Sequence, residues 1–314
     1  MSAMPDTSRI DEASNVNSPT MIEELSRIRS LATSGPRDKP IGAILLDAGL
    51  ITLDDAERIV AAAKEKGQRF GDAAVALGLV KEGDLRGALA FQFDYPVLPV
   101  GASPVSREVI AAYEARHPVL DDLRALRNQI LLRWLTAEGK KNRVVAVMSA
   151  GRGEGRTFIA ANLAVTFSQM GQRTLLIDAD MRRGRIHKLF GLDNQHGLSA
   201  LLADRHTPNT LHRISGLRDL SVISTGAEPP NPHDLLSRES FPELLEGFAR
   251  SYDVVIVDTP AAMDSPEAQI IAARAGGVVV VARKGLTDMA ALTALAQDAR
   301  EAGATVVGSA LSEA

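Results

Sequence analysis

An apolar run, a glycine-punctuated turn and a long helical stretch follow one another in "RVVAVMSAGRGEGRTFIAANLAVTFSQMG", residues 143–171. Few folds accept that order. The run reads as a buried parallel strand, and glycines at 151, 153 and 155 let the backbone wrap an anion with its N–H groups. The helix beyond presents its N-terminus, where the dipole and free N–H groups favour negative charge. Against the phosphate-loop pattern G-x-x-x-x-G-K-[ST], Ala150 takes the first glycine, Gly155 the second, Arg156 the lysine and Thr157 the hydroxyl placed for Mg²⁺. The expected cofactor segment is Gly151, Arg152, Gly153, Glu154, Gly155, Arg156, Thr157 and Phe158.

The rest of the C-terminal part keeps the same alternation. "TLLIDAD", "DLSVIST", "YDVVIVDTP", "GGVVVVAR" and "ATVVGSAL" read as strands; "FPELLEGFARS", "PEAQIIAARA" and "LTDMAALTALAQDAREAG" read as helices. Such alternation implies an α/β fold of the P-loop NTPase type over residues 119–314, a parallel sheet with helices on both faces. Ligands bind such sheets at the carboxyl ends of strands. Asp178 and Asp180, two apart and so expected on one side, end one strand, and Asp258 ends another. These three carboxylates and the loop are expected to converge on a magnesium–nucleotide complex. "MRRGRIHK" (Arg182, Arg183, Arg185, Lys188) reads as a solvated basic rim beside the phosphates.

Composition removes other function classes. A net charge of −4 and 4% aromatic residues argue against a dedicated nucleic-acid binder. The absence of cysteine excludes disulfides and thiolate-ligated metals. The N-terminus shows no basic region followed by an apolar run, and no apolar stretch reaches the ~18 residues of a membrane span. The expectation is a cytoplasmic protein brought to a membrane by a partner.

Before the nucleotide region lies a repeat. "IGAILLDAGLITLDDAERIVAAA" aligns with "FGDAAVALGLVKEGDLRGALAFQ", so that Gly42 meets Gly71, Gly49 meets Gly78 and Asp55 meets Asp84, 29 residues apart. Each copy reads as helix, glycine turn and second amphipathic helix, which makes residues 39–96 a small all-α module. Residues 1–38 read as a mobile tail. In "TMIEELSRIRSLA" apolar residues recur at helical spacing, which leaves two readings, a docking helix or one too short to persist in water. Residues 97–118, rich in proline and small residues, read as a linker.

Two resemblances follow from these motifs. The repeat resembles the N-terminal MshEN-type module of type II secretion and pilus ATPases, some of which bind cyclic di-GMP. Carried over, that ligand would meet Arg69, Gly71, Gly78, Leu85 and Gln92, while the first copy has Pro40 and Ala63 at the arginine and glutamine positions. A helical docking module without a ligand is the other reading. Residues 118–311 resemble the bacterial tyrosine kinases (BY-kinases) that regulate polysaccharide export, through "SAGRGEGRT", "LLIDADMRRGRIHKLFGL", "VVIVDTP" and "GAEPPNPHDLL". The arginine-bearing loop looks most like the exopolysaccharide chain-length-determinant, EpsG-type branch. That resemblance implies an ATP- and Mg²⁺-dependent tyrosine autokinase or ATPase with Asp178, Asp180 and Arg156 as catalytic residues, Asp178 being the base or a water-mediated metal contact and Asp180 and Asp258, with Thr157, positioning Mg²⁺. It also implies homo-oligomerisation through Asp121, Arg124 and Arg127. The implied partner is a transmembrane chain-length determinant at the inner membrane. The family's tyrosine-rich tail is replaced by "VVGSALSEA", and the tyrosines are Tyr95, Tyr113 and Tyr252. Ser312 stands where relatives often carry asparagine near the base. A nucleotide-loaded switch without catalysis is therefore the alternative.

Overall fold

The computed structural model describes residues 39–93, 95–99, 101–136, 143–205 and 208–313. The reading of residues 1–38 as a tail lies outside them. The chain divides into two compact units between Asp94 and Tyr95.

Among the described residues the first unit is four helices: α1 (Ile41–Asp47), α2 (Leu53–Lys66), α3 (Phe70–Ala76) and α4 (Glu82–Gln92). Its buried core is Ile44, Leu45, Ile51, Ala56, Ile59, Ala73, Ala74, Val80, Leu85 and Ala88. These ten residues form five pairs at the 29-residue offset, from Ile44 with Ala73 to Ile59 with Ala88. In four of the five pairs a large residue in one copy corresponds to alanine in the other, so the core is shared between the copies without being a simple repeat. Gly49 and Gly78 turn the chain after α1 and α3 with φ of 65° and 68°, a left-handed conformation that glycine adopts without strain. The copies differ at one cap. Thr52 and Asp55 form a reciprocal capping box on α2, whereas Lys81 leaves α4 without a side-chain cap.

The second unit is a seven-stranded sheet. Its strands are β1 (Val144–Met148), β2 (Thr174–Asp178), β3 (His212–Arg213), β4 (Leu220–Ile223), β5 (Val254–Asp258), β6 (Gly277–Arg283) and β7 (Thr305–Ser312). The order is β3-β4-β2-β5-β1-β6-β7. All pairings are parallel except β3 with β4, so the expected all-parallel sheet carries one antiparallel edge hairpin. Two residues of strand leave no periodicity in the sequence, and that edge was not foreseen.

Alternate strand residues feed two cores. Val145, Val147, Leu176 and Ile256 pack under α5 (Pro118–Ile130) and α6 (Arg156–Ser168). Val144, Ala146, Leu175 and Val255 pack on the opposite face, under α9 (Pro232–Ser237), α10 (Ser240–Ser251), α11 (Glu267–Ala275) and α12 (Met289–Glu301). Two short helices, α7 (Ile186–Phe190) and α8 (Leu198–Leu202), follow β2. Helix α6 is buried from Ile159 to Ser168, as a helix crossing the centre of a sheet must be.

The 97–118 segment corrects the reading of a linker. Leu98, Val105, Val109, Ala111 and Ala112 are buried in the sheet unit's core. The buried Asn162 amide holds the segment, accepting from Ala111 N–H at 2.9 Å and donating to the Glu108 carbonyl at 3.0 Å. Proline and small residues here serve close packing of an irregular strap, not freedom of a tether.

Candidate nucleotide site

Strand β1 ends at Met148, and the chain wraps through the glycine loop into α6. Gly153 and Gly155 have φ of 71° and 99°, and Gly155 is the residue that caps α6. The loop is stitched shut by its own arginine. Arg156 donates Nε to the Thr259 carbonyl at 3.0 Å and Nη1 to the Gly151 carbonyl at 2.6 Å, and Nη1 also meets the Ser149 hydroxyl. Arg283, at the end of β6, donates to the Gly153 carbonyl at 3.0 Å, and Arg152 pairs with Asp264. Sequence reasoning missed Arg283 and Asp264, because neither belongs to a motif.

A cavity of 420 Å³ opens over this loop, lined by residues 152–158, Asp180, Arg182, Arg183, Arg185, Pro260, Ala261, Asp264, Ser265 and Arg283. That volume suits a small-molecule ligand.

The acids below it divide their work. Asp178 and Asp258 lie side by side in register on β2 and β5. Asp178 is fully buried and does not line the cavity. Its Oδ1 accepts from Asp180 N–H at 3.3 Å and its Oδ2 from Ile186 N–H at 3.0 Å. Gly184 passes so close that a Cβ there would lie 2.6 Å from Asp178 Oδ2. Burial, then the charge of Asp258, raises the Asp178 pKa well above the ordinary carboxylate range. Asp180 is half-buried and faces the cavity. Alternation on a strand does not therefore place these two acids together: β2 stops at Asp178, and the period of two stops with it.

Asp258 is 1% exposed, and burial raises its pKa to about 7 against the pull of the Thr157 hydroxyl and the Arg156 guanidinium. Neither of its carboxylate oxygens has a hydrogen-bond partner among the described residues, and Glu154 Oε2 is likewise buried and unpaired. Unpaired buried oxygens beside an anion cradle fit a cation held jointly by protein and phosphate. Among the described residues no three His, Cys, Asp or Glu side chains stand ready to hold a metal by themselves. Mg²⁺ asks for less, since it keeps waters and takes one or two carboxylates plus substrate phosphates.

The remaining expected residues do not line this cavity. Arg124 donates to Asp121 at 3.0 Å, to the Tyr95 hydroxyl at 3.0 Å and to the Ala115 carbonyl at 2.7 Å, and Arg127 donates to the Thr166 carbonyl at 2.9 Å. Tyr95 in turn donates to Gln169 at 2.6 Å. The Tyr113 hydroxyl donates to the Val105 carbonyl under the Arg107 guanidinium. In the helical unit, Arg69 is the exposed residue ahead of α3. Gly71 makes room for Leu85, whose Cδ1 would lie 2.8 Å from an added Cβ. Gln92 donates to the Lys39 carbonyl at 3.1 Å, tying the end of the unit to its beginning.

A family model described as AAA domain matches residues 142–302. Among curated proteins, the chain is 35% identical over 192 residues to tyrosine-protein kinase etk of Escherichia coli (strain K12), covering 61% of this chain and 26% of that protein. It thus spans about a quarter of that relative's length. It is 37% identical over 186 residues to tyrosine-protein kinase YwqD of Bacillus subtilis (strain 168), covering 59% of this chain and 77% of YwqD. Among solved structures, the kinase domain of Escherichia coli tyrosine kinase ETK superposes with a TM-score of 0.56 at 36% identity, covering 60% of this chain and 73% of that domain. No helix among the described residues is long and apolar enough to cross a membrane.

Proposed function

The chain belongs to the bacterial tyrosine-kinase family of P-loop proteins, and from that premise we propose that it is an ATP- and Mg²⁺-dependent protein-tyrosine autokinase and ATPase. Its role would be to regulate exopolysaccharide chain length, polymerisation and export. The observation that carries this reading is the Asp258 carboxylate, buried and without a partner at the end of β5 beside Thr157 and the glycine loop.

Bound Mg-ATP supplies the transferable phosphoryl group and the divalent charge. The amides of residues 153–158 would cradle phosphate, and Thr157, Asp180 and Asp258 would hold the cation. Arg156 would turn from the loop carbonyls to phosphate oxygens, which its planar fork of donors can bridge. Asp180 lines the cavity; with the cation on one of its oxygens, the other would take the acceptor's proton. Asp178, whose pKa burial raises and whose oxygens accept from two backbone N–H groups, holds the turn that presents Asp180. Such chemistry rests on positioning and electrostatics more than on covalent participation. The protein would self-assemble and dock on a transmembrane chain-length determinant, peripheral to the inner membrane.

The second reading is a nucleotide-loaded switch without transfer, its helical unit receiving a signal such as cyclic di-GMP. Two observations favour it: Arg156 is already engaged by the loop, and the Tyr95 and Tyr113 hydroxyls are bonded within the sheet unit. Transfer of labelled γ-phosphate by the purified full chain separates the two, with Asp180→Asn as the blank. Label on protein that the blank lacks supports the kinase. Tight Mg-ATP binding with neither label nor free phosphate supports the switch.

A further inference from the structure

The mouth of the cavity is more basic than a nucleotide requires. Arg152, Arg156, Arg182, Arg183, Arg185 and Arg283 line it against Glu154, Asp180 and Asp264, in a chain of net charge −4. Most of these cations have duties inside the fold. Arg152 pairs with Asp264, Arg182 with the buried Glu267, and Arg156 and Arg283 with loop carbonyls. Two differ. The exposed Arg183 guanidinium has no partner among the described residues. Arg185 is half-exposed and holds Glu108, itself exposed, on the strap.

The position of these two is not free. Arg183 N–H donates to Asp180 Oδ1 at 3.1 Å and Gly184 N–H to the Asp180 carbonyl at 2.6 Å, so the turn carrying both arginines is built on Asp180. Glu108 is placed as firmly, because the buried Asn162 amide holds its carbonyl. A carboxylate from another element thus already sits on an arginine at the cavity mouth. An exposed ion pair of this kind is weak and easily exchanged, and a guanidinium fork suits one carboxylate as well as another.

We infer that Arg183 and Arg185 select an acceptor segment whose tyrosine is flanked by acidic residues, and that Glu108 occupies one of the carboxylate subsites until the acceptor displaces it. The inference rests on the kinase reading for the word acceptor. Each of the chain's own tyrosines has one acidic neighbour: Asp94 precedes Tyr95, Glu114 follows Tyr113 and Asp253 follows Tyr252. The cations stand three and five residues past Asp180, and an acidic flank held there would keep its tyrosine beside the cavity that Asp180 lines.

The test uses the full chain with Mg-ADP and two fluorescent peptides, one rich in glutamate around a central phenylalanine and one with glutamine in place of each glutamate. Phenylalanine cannot accept phosphate, so binding is read apart from transfer. The acidic peptide should bind at least about fivefold more tightly, and Arg183→Gln and Arg185→Gln should each weaken it by roughly two- to fivefold. Glu108→Gln, an exposed and conservative change, should tighten it by a similar factor. Equal affinity for the two peptides, or no gain from Glu108→Gln, overturns the inference. So does an oligothymidylate of equal charge binding as tightly as the acidic peptide, which would make the rim a general anion surface. The matching tyrosine peptide with labelled Mg-ATP tests the kinase reading separately. No label despite selective acidic binding would sink that reading and leave the acidic site standing.

Discussion

Among the described residues, no polar or charged side chain between 39 and 93 is buried, whereas the sheet unit buries Glu154, Asp178, Asp258 and Glu267. The helical unit keeps its charges on the surface and its core apolar, five pairs of side chains repeated across two copies. The sheet unit places carboxylates where strands end, two of them side by side in register. The first arrangement is what stability alone would select. The second carries a standing penalty that a bound cation can relieve, and strongly shifted buried acids of this kind cluster at functional sites.

Replacing Asp258 tests that contrast most severely. Its folded-state pKa of about 7 lies above the ordinary 3.8, so between those values the folded form binds the extra proton. The stability it contributes is complete below about pH 4 and is lost as pH rises through 7. Asp178 acts in the same direction. Without nucleotide, the wild-type sheet unit should melt lower at pH 8 than at pH 5.5. Asp258→Asn should remove a penalty on the order of 4 kcal/mol at pH 8, flatten that slope and abolish Mg-nucleotide affinity. Parallel melting profiles for variant and wild type would break the comparison.

Ile59→Ala sharpens it from the other side. Ile59 is fully buried in the helical unit, and truncation there should cost about 3 kcal/mol. Calorimetry should show the same loss at pH 5.5 and at pH 8, since no titrating group shares that core. A loss that grew with pH would mean the two units are not electrostatically distinct.

Gly184→Ala drives a methyl group against Asp178 and to within 2.2 Å of Thr225 Cγ2. A cost of about 2 kcal/mol in urea unfolding is expected, together with weaker nucleotide binding, because the same turn presents Asp180. Unchanged affinity would detach the buried acid from the site.

The smallest effects lie in the helix caps. Thr52→Ala should cost about 1 kcal/mol by opening the capping box on α2. Lys81→Thr would place threonine three residues before Asp84, as Thr52 stands before Asp55, and should return roughly 0.5–1 kcal/mol to the helical unit. Thermal melting of the two variants reads both. No gain from Lys81→Thr would show that the copies are equivalent in their cores and not at their termini.

Much of this molecule was legible before any coordinates. The repeat offset placed the paired core, and the strand–loop–helix order placed the phosphate loop. Asp178 and Asp258 were legible as strand ends because apolar runs stop at them. Other features left no such trace. The strap from 97 to 118 looks like a linker because close-packed irregular chain and free chain share a composition. Helices α7, α8 and α9 span five or six residues each, too few for a helical period to show. Arg283 and Glu108 enter the site from segments with no motif.

What the sequence determined by itself is whatever depends on backbone conformation and local periodicity: glycine where φ turns positive, alternation along strands, helical repeats and their register. What only the tertiary structure decided is which charges meet. Asp178 and Asp180 are near neighbours in the chain and differ in burial because β2 ends between them and the following turn folds over the first. Arg156 is engaged by Thr259 because the strand order sets β1 beside β5, and Arg185 by Glu108 because Asn162 holds the strap against α6. Burial and pairing of charge depend on such neighbours, and a linear chain does not list them.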